Sequence, residues 1–129
     1  MTSRFTELAV DCHDPERLAA FWCEVLDFKV IERHEGKVEI GSWVPTVEEV
    51  RARQMPPTVL FVQVPEDRTV KNRLHLDVSP IDASTHDEVN RLLGLGASRA
   101  DVGQGPDCNW VVMADPEGNE FCVLRTLAP

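Results

Sequence analysis

The chain has 129 residues, a mass of 14.5 kDa and a formal net charge of −9 at pH 7, from 13 Lys and Arg against 22 Asp and Glu. Hydrophobic residues at 43% and charged residues at 27% make a globular composition, which excludes intrinsic disorder and a collagen-like or coiled-coil fibre. The acidic excess runs through both halves, so no basic arm is available to displace counterions from a nucleic acid.

A chain of this length is expected to form one domain and to bury roughly 68% of the surface its unfolded form exposes. The N-terminal MTSRFTELAV has no signal-peptide apolar region, and no apolar run approaches the roughly 20 residues of a membrane span. A cytoplasmic protein without a membrane partner is expected. Cys12, Cys23, Cys108 and Cys122 are irregularly spaced, contain no CxxC pair and read as reduced thiols.

The first element, FTELAVDC, alternates with period 2: Leu8, Val10 and Cys12 share one face, and Glu7, Ala9 and Asp11 the other. A helix follows, with Asp14 as N-cap, Pro15 at the first position and an apolar stripe of Leu18, Phe21, Trp22, Val25 and Leu26 that places Trp22 in the core. It should end near Asp27, which tolerates a left-handed backbone. The runs FKVIER, KVEIGS and TVLFVQV read as strands. Between the last two lies a proline-bounded excursion, residues 44–57, with one helical turn expected over Val47 to Arg53.

The second half repeats the order. RLHLDVS alternates Leu74, Leu76 and Val78 with Arg73, His75 and Asp77. Thr85 and Glu88 have capping-box spacing ahead of a stripe of Val89, Leu92 and Leu93, which stops at Gly94 and Gly96. SRADV, NWVVMA and EFCVLR read as strands, with Trp110 at the start of the second. The last two are joined by Asp115, Pro116, Glu117, Gly118 and Asn119 in a type I turn. The pattern is βαβββ, twice.

The segments LAVDCHDPERLAAFW, NRLHLDV and WVVMADPEGNEFCVL, in this order within a βαβββ repeat, resemble the glyoxalase/bleomycin-resistance/dioxygenase superfamily, the vicinal oxygen chelate fold. The chain is most similar to its small bacterial glyoxalase-like members. The resemblance implies an α+β fold of two βαβββ modules, about 1–65 and 72–129, forming a curved mixed sheet or half-barrel cleft with helices outside. It also implies ligand-bearing positions on the first and last strand of each module. Carried over, these fall on Glu7, Gln63, His75 and Cys122, of which His75 alone keeps a standard ligand type. A Glu7–Gln63–His75–Cys122 set can chelate zinc, but amide and thiol depart from the imidazole and carboxylate pattern. His13, His34 and His86 lie off these positions, which argues against an extradiol dioxygenase.

Among individual residues, His75 and Glu7 are the candidates for acid–base or metal-ligand work, since imidazole titrates near neutrality. Trp43, Phe61, Gln63, Arg73 and Cys122 join them as candidate ligand contacts. Phe61 and Gln63 are expected on the inward face of their strand, with Leu60, Val62 and Val64 toward the helix. Trp43 suits stacking on a planar ligand, and Arg73, with Arg99, offers a fork for a carboxylate or phosphate. Cys122 should face away from the apolar side of its strand. The reading that follows is a small-molecule-binding, glyoxalase-like protein, expected as a homodimer, with no cofactor expected. Two alternatives stand beside it: a divalent-metal-dependent lyase or isomerase of the glyoxalase type, and a resistance protein that sequesters an antibiotic as bleomycin-binding relatives do.

Overall fold

A computed structural model describes residues 3–100 and 110–129. The chain divides into two compact units, residues 1–67 and 68–129. In the first, strand β1 (Glu7–Cys12) leads into helix α1 (Pro15–Leu26), then strands β2 (Lys29–His34) and β3 (Lys37–Gly41), helix α2 (Val47–Ala52) and strand β4 (Thr58–Gln63). In the second, β5 (Leu76–Val78), α3 (Thr85–Leu95), β6 (Ser98–Arg99), β7 (Val111–Ala114) and β8 (Glu120–Val123) follow. Each unit holds a four-stranded mixed sheet, in the orders β1-β4-β3-β2 and β5-β8-β7-β6, so the architecture is α+β with the βαβββ order repeated. Within each sheet the first strand pairs in parallel with the last, and the remaining pairs are antiparallel.

The two crossover helices start and stop where their end groups can be satisfied. Asp14 accepts from the Arg17 backbone N–H at 3.2 Å, and Asp27 closes α1 in the left-handed region at φ 55°. The capping-box expectation at Thr85 is corrected: Ser84 is the N-cap of α3 and accepts from the Asp87 N–H at 3.0 Å, while the Thr85 hydroxyl donates to the Leu124 carbonyl. A hydroxyl at either position fits the sequence pattern, and the register of the first turn selects Ser84. The excursion over residues 44–57 is ordered around α2, whose Thr46 and Glu49 make a reciprocal capping box.

Each core lies between a sheet and its crossover helix. Leu18, Ala19, Phe21 and Trp22 of α1 are buried together with Val38, Ile40, Val59 and Phe61 of β3 and β4. In the second unit Val89 and Leu92 of α3 are buried with Met113, Phe121 and Val123, whereas Leu93, expected in the stripe, is exposed. The strand expected over RLHLDVS contracts to Leu76–Val78, leaving His75 at its approach. The turn after β7 is tied by Asp115, which accepts from the N–H groups of Glu117 and Asn119, and Gly118 takes the φ of +86° that the turn requires. Cys108 and the expected strand residues Asp101, Val102 and Asn109 lie outside the described residues.

Candidate functional site

Strand alternation decides what the second sheet presents on the face away from α3. Phe121 and Val123 go to the core, so Glu120, Cys122 and Leu124 point the other way. The parallel register sets Asp77 opposite Cys122, and the antiparallel register sets Val112 opposite it on the other side. His75, two residues before Asp77, falls on the same face. These residues, with Lys71 and Trp110, line a pocket of about 310 Å³.

Three donors converge there. His75 Nδ1 lies 3.0 Å from Asp77 Oδ1 and 4.0 Å from Cys122 Sγ, and the nitrogen, carboxylate oxygen and sulfur all lie within 4.8 Å of one another. His75 and Asp77 are partly exposed; Cys122 faces away from the core side of its strand, as its alternation with Phe121 and Val123 predicts, and is nonetheless buried in the pocket wall. Glu120 is held by its surroundings: Arg68 Nη1 lies 3.5 Å from one carboxylate oxygen, the Asn72 N–H donates to the other, and the Asn72 side-chain oxygen accepts from the Glu120 N–H. Arg68 is itself fixed by donating to the carbonyls of Val70 and Gly118. A nitrogen, an oxygen and a sulfur in this arrangement can accept protons, hold a polar ligand or coordinate a cation.

The first unit shows the corresponding face without that donor set. Its register pairs Asp11 with Val62 and Ala9 with Leu60, and Val64 N–H donates to the Cys12 carbonyl at 2.8 Å, just as Leu124 N–H donates to the Val78 carbonyl at 2.8 Å. Superposing the two registers makes Asp11 the counterpart of Asp77, Val62 that of Cys122, and Ala9 that of His75. Glu7 then corresponds to Arg73 rather than to His75. The reason is loop length: β1 reaches its helix cap in two residues, Cys12 to Asp14, whereas β5 takes six, Val78 to Ser84, so counting back from the helix misaligns the strands.

Glu7 is exposed on the face of its sheet that carries Thr58 and Leu60. The expectation that Phe61 and Gln63 share this face is overturned. Phe61 is 1% exposed and packs in the core with Val38, its partner in register, so Leu60 and Val62 occupy the face that Phe61 was expected to line. Gln63, of the same parity as Phe61, is exposed at the strand end and donates to the His13 carbonyl at 3.2 Å. Trp43 lines a separate pocket of about 300 Å³ within the first unit. Arg73 is exposed just before β5, and Arg99 is exposed on β6. Asp77, Glu120, Trp110 and Lys71 were not singled out from sequence as site residues. Period-2 parity with His75 and Cys122 would have found the first two; the other two reach the pocket from outside the strands.

The family model for the glyoxalase-like domain matches residues 7–124. No curated protein matches the sequence. Among solved structures, a glyoxalase/bleomycin resistance protein/dioxygenase family enzyme from Burkholderia phytofirmans PsJN is similar at TM-score 0.64 and 18% identity, over 94% of this chain and 97% of that one. The fosfomycin resistance protein FosX from Mesorhizobium loti is similar at TM-score 0.64 and 14% identity, over 95% and 92%. A mutant FosX from Listeria monocytogenes, complexed with Mn(II) and 1S,2S-dihydroxypropylphosphonic acid, is similar at TM-score 0.65 and 9% identity, over 100% and 93%. At these identities the likeness is one of fold. Among the described residues, no helix is long and apolar enough to cross a membrane.

Proposed function

The chain belongs to the glyoxalase-like domain family, and from that premise we propose that it binds a small molecule on the face formed by His75, Asp77, Glu120 and Cys122. The observation that carries this reading is the convergence of three unlike donors on one pocket of about 310 Å³. Its wall combines apolar surface from Trp110, Val112 and Leu124 with a few fixed polar groups, the composition that small-molecule sites favour. Asp77 holds the imidazole through Nδ1, which leaves Nε2 on the far side of the ring to exchange a proton with a ligand. Glu7, on its own sheet, is retained as a second candidate acid–base and ligand-contacting residue.

A second reading is favoured by the donor chemistry itself: a metal-dependent lyase or isomerase of the glyoxalase type. His75, Asp77 and Cys122 would hold the ion. An imidazole, a carboxylate and a thiolate fit zinc, whereas Mn(II) prefers an all-oxygen or oxygen-rich set. Bound there, a divalent ion would supply Lewis-acid polarisation of ligand oxygens. The first unit's counterpart positions, Ala9, Asp11 and Val62, offer one carboxylate only. Sequestration of an antibiotic, which the net charge of −9 would suit for a cationic drug, is the third reading. Homodimerisation and a cytoplasmic location complete the proposal by analogy with the family.

Metal analysis of the purified protein, alongside Glu7→Ala, His75→Ala and Cys122→Ser, separates the first two readings. Bound zinc in near-stoichiometric amount, lost in the His75 and Cys122 variants and kept in Glu7→Ala, would establish the metal-dependent reading. Metal-free protein that retains a co-purifying small molecule, lost in His75→Ala, would establish the first; recovery of that molecule unchanged after incubation marks binding without turnover.

A further inference from the structure

The pocket of the first unit is chemically unlike the one just described. It forms where the excursion over residues 44–57 folds back beside β2, β3 and β4, and its wall is largely apolar, with prolines at its edge. Trp43 lines it and remains 38% exposed, so part of its indole is available to a ligand. Two carboxylates also line it, and both are engaged: Glu39 accepts a hydrogen bond from the Thr58 hydroxyl at 2.6 Å, and Glu32 lies 2.7 Å from His34 Nε2.

Arg4 is the anomaly. It lines the same pocket, and its Nη1 donates to the Thr6 hydroxyl at 3.3 Å, yet its Nε is buried with no hydrogen-bond partner among the described residues. It forms no ion pair among them either. A buried N–H of a permanently charged group is costly to leave without an acceptor. Nε itself is closed to a water-sized group, but Arg4 lines the pocket, and an anionic oxygen delivered there by a ligand would pair a charge that no described carboxylate pairs.

We infer that this pocket is a second ligand site, and that it takes a planar monocarboxylate such as an aromatic acid, whose carboxylate pairs with the Arg4 guanidinium while its ring lies against Trp43. An anionic oxygen is favoured over a neutral one because a charge-assisted bond to guanidinium is the stronger of the two. Glu32 and Glu39 at the wall disfavour a dianion such as phosphate, which a single arginine does not neutralise. The site lies wholly within the first unit and does not depend on the reading given to His75, Asp77 and Cys122.

The test uses the full chain and three probes of one shape: 1-naphthoate, the neutral 1-naphthamide and the cationic 1-naphthylmethylamine, each titrated by calorimetry and by tryptophan fluorescence. Naphthoate is expected to bind and quench fluorescence, with affinity falling about tenfold or more in Arg4→Gln and in Trp43→Ala. His75→Ala is expected to bind naphthoate as the parent does, which separates failure of this inference from failure of the functional reading. Circular dichroism checks that the variants fold, and Arg4→Gln and Trp43→Ala report independently of each other. Equal binding of amide or amine, unchanged affinity in Arg4→Gln, loss in His75→Ala alone, or no binding of naphthoate would each overturn the inference.

Discussion

The two units share a scaffold and differ in what they hang on it. Phe61 and Phe121 occupy equivalent register positions, opposite Val38 and Met113, and both are 1% exposed. On the face toward the helix, the two sheets are built alike. On the other face, His75 and Cys122 stand where the first unit has Ala9 and Val62, and only the carboxylates Asp11 and Asp77 match. The difference teaches that the βαβββ order and its helix-side apolar residues specify the sheet, while the opposite face is free to carry a donor set in one unit and to omit it in the other. Burial constrains the first set through packing density, and no such constraint acts on the second.

The comparison breaks most visibly at the equivalent phenylalanines. Phe61→Ala and Phe121→Ala should each destabilise by about 3–5 kcal/mol in urea denaturation followed by circular dichroism. A loss well under 1 kcal/mol at Phe61 would remove it from the core and restore the ligand-facing role expected from sequence. Grafting sharpens the comparison next. If register places the donors, Ala9→His with Val62→Cys should assemble with Asp11 a donor set like that of the second unit. In a His75→Ala, Cys122→Ser background, zinc affinity measured by competition with a chromophoric chelator should rise about tenfold or more over the background protein. No rise would mean that matching backbone register is insufficient to aim the three donors.

The smallest effect concerns the thiols that distinguish the units. Burial pushes the Cys23 thiol on α1 above its ordinary pKa; the Glu24 carboxylate adds to the rise and Arg33 opposes it. A raised pKa means less thiolate near neutral pH, so alkylation of Cys23 by iodoacetamide should run slower than that of a free cysteine and approach it only as pH climbs past the raised value. Peptide mass mapping reads the site. Glu24→Gln should speed the reaction, and a rate equal to free cysteine near neutrality would contradict the burial argument.

Much of the fold was legible from residues alone, because each crossover helix carries its own caps and stripe and each half-exposed strand its own alternation. FTELAVDC reveals its two faces directly, since Glu7 and Asp11 cannot share a core with Leu8 and Val10. TVLFVQV does not, because Leu60 and Val62 are as apolar as Val59 and Phe61, and only the packing of α1 breaks the tie. That tie misplaced Phe61 and Gln63. The candidate site was half legible: His75 and Cys122 could be named, while Asp77 and Glu120 needed the register, and Lys71 and Trp110 needed tertiary folding.

Local periodicity, capping and turn chemistry, read from the chain by itself, determined the βαβββ order, its repeat and the placement of His75 and Cys122 on a non-core face, and the α+β class followed from the family resemblance. Which strands pair, in what register, and therefore that β1 aligns Ala9 rather than Glu7 with His75, was decided by tertiary structure alone. Hydrogen bonds between distant strands set register through geometry that no window of neighbouring residues contains. The pocket around Trp43 has the same origin: Arg4 and the turn of chain after β3 meet only because β1 and β4 pair.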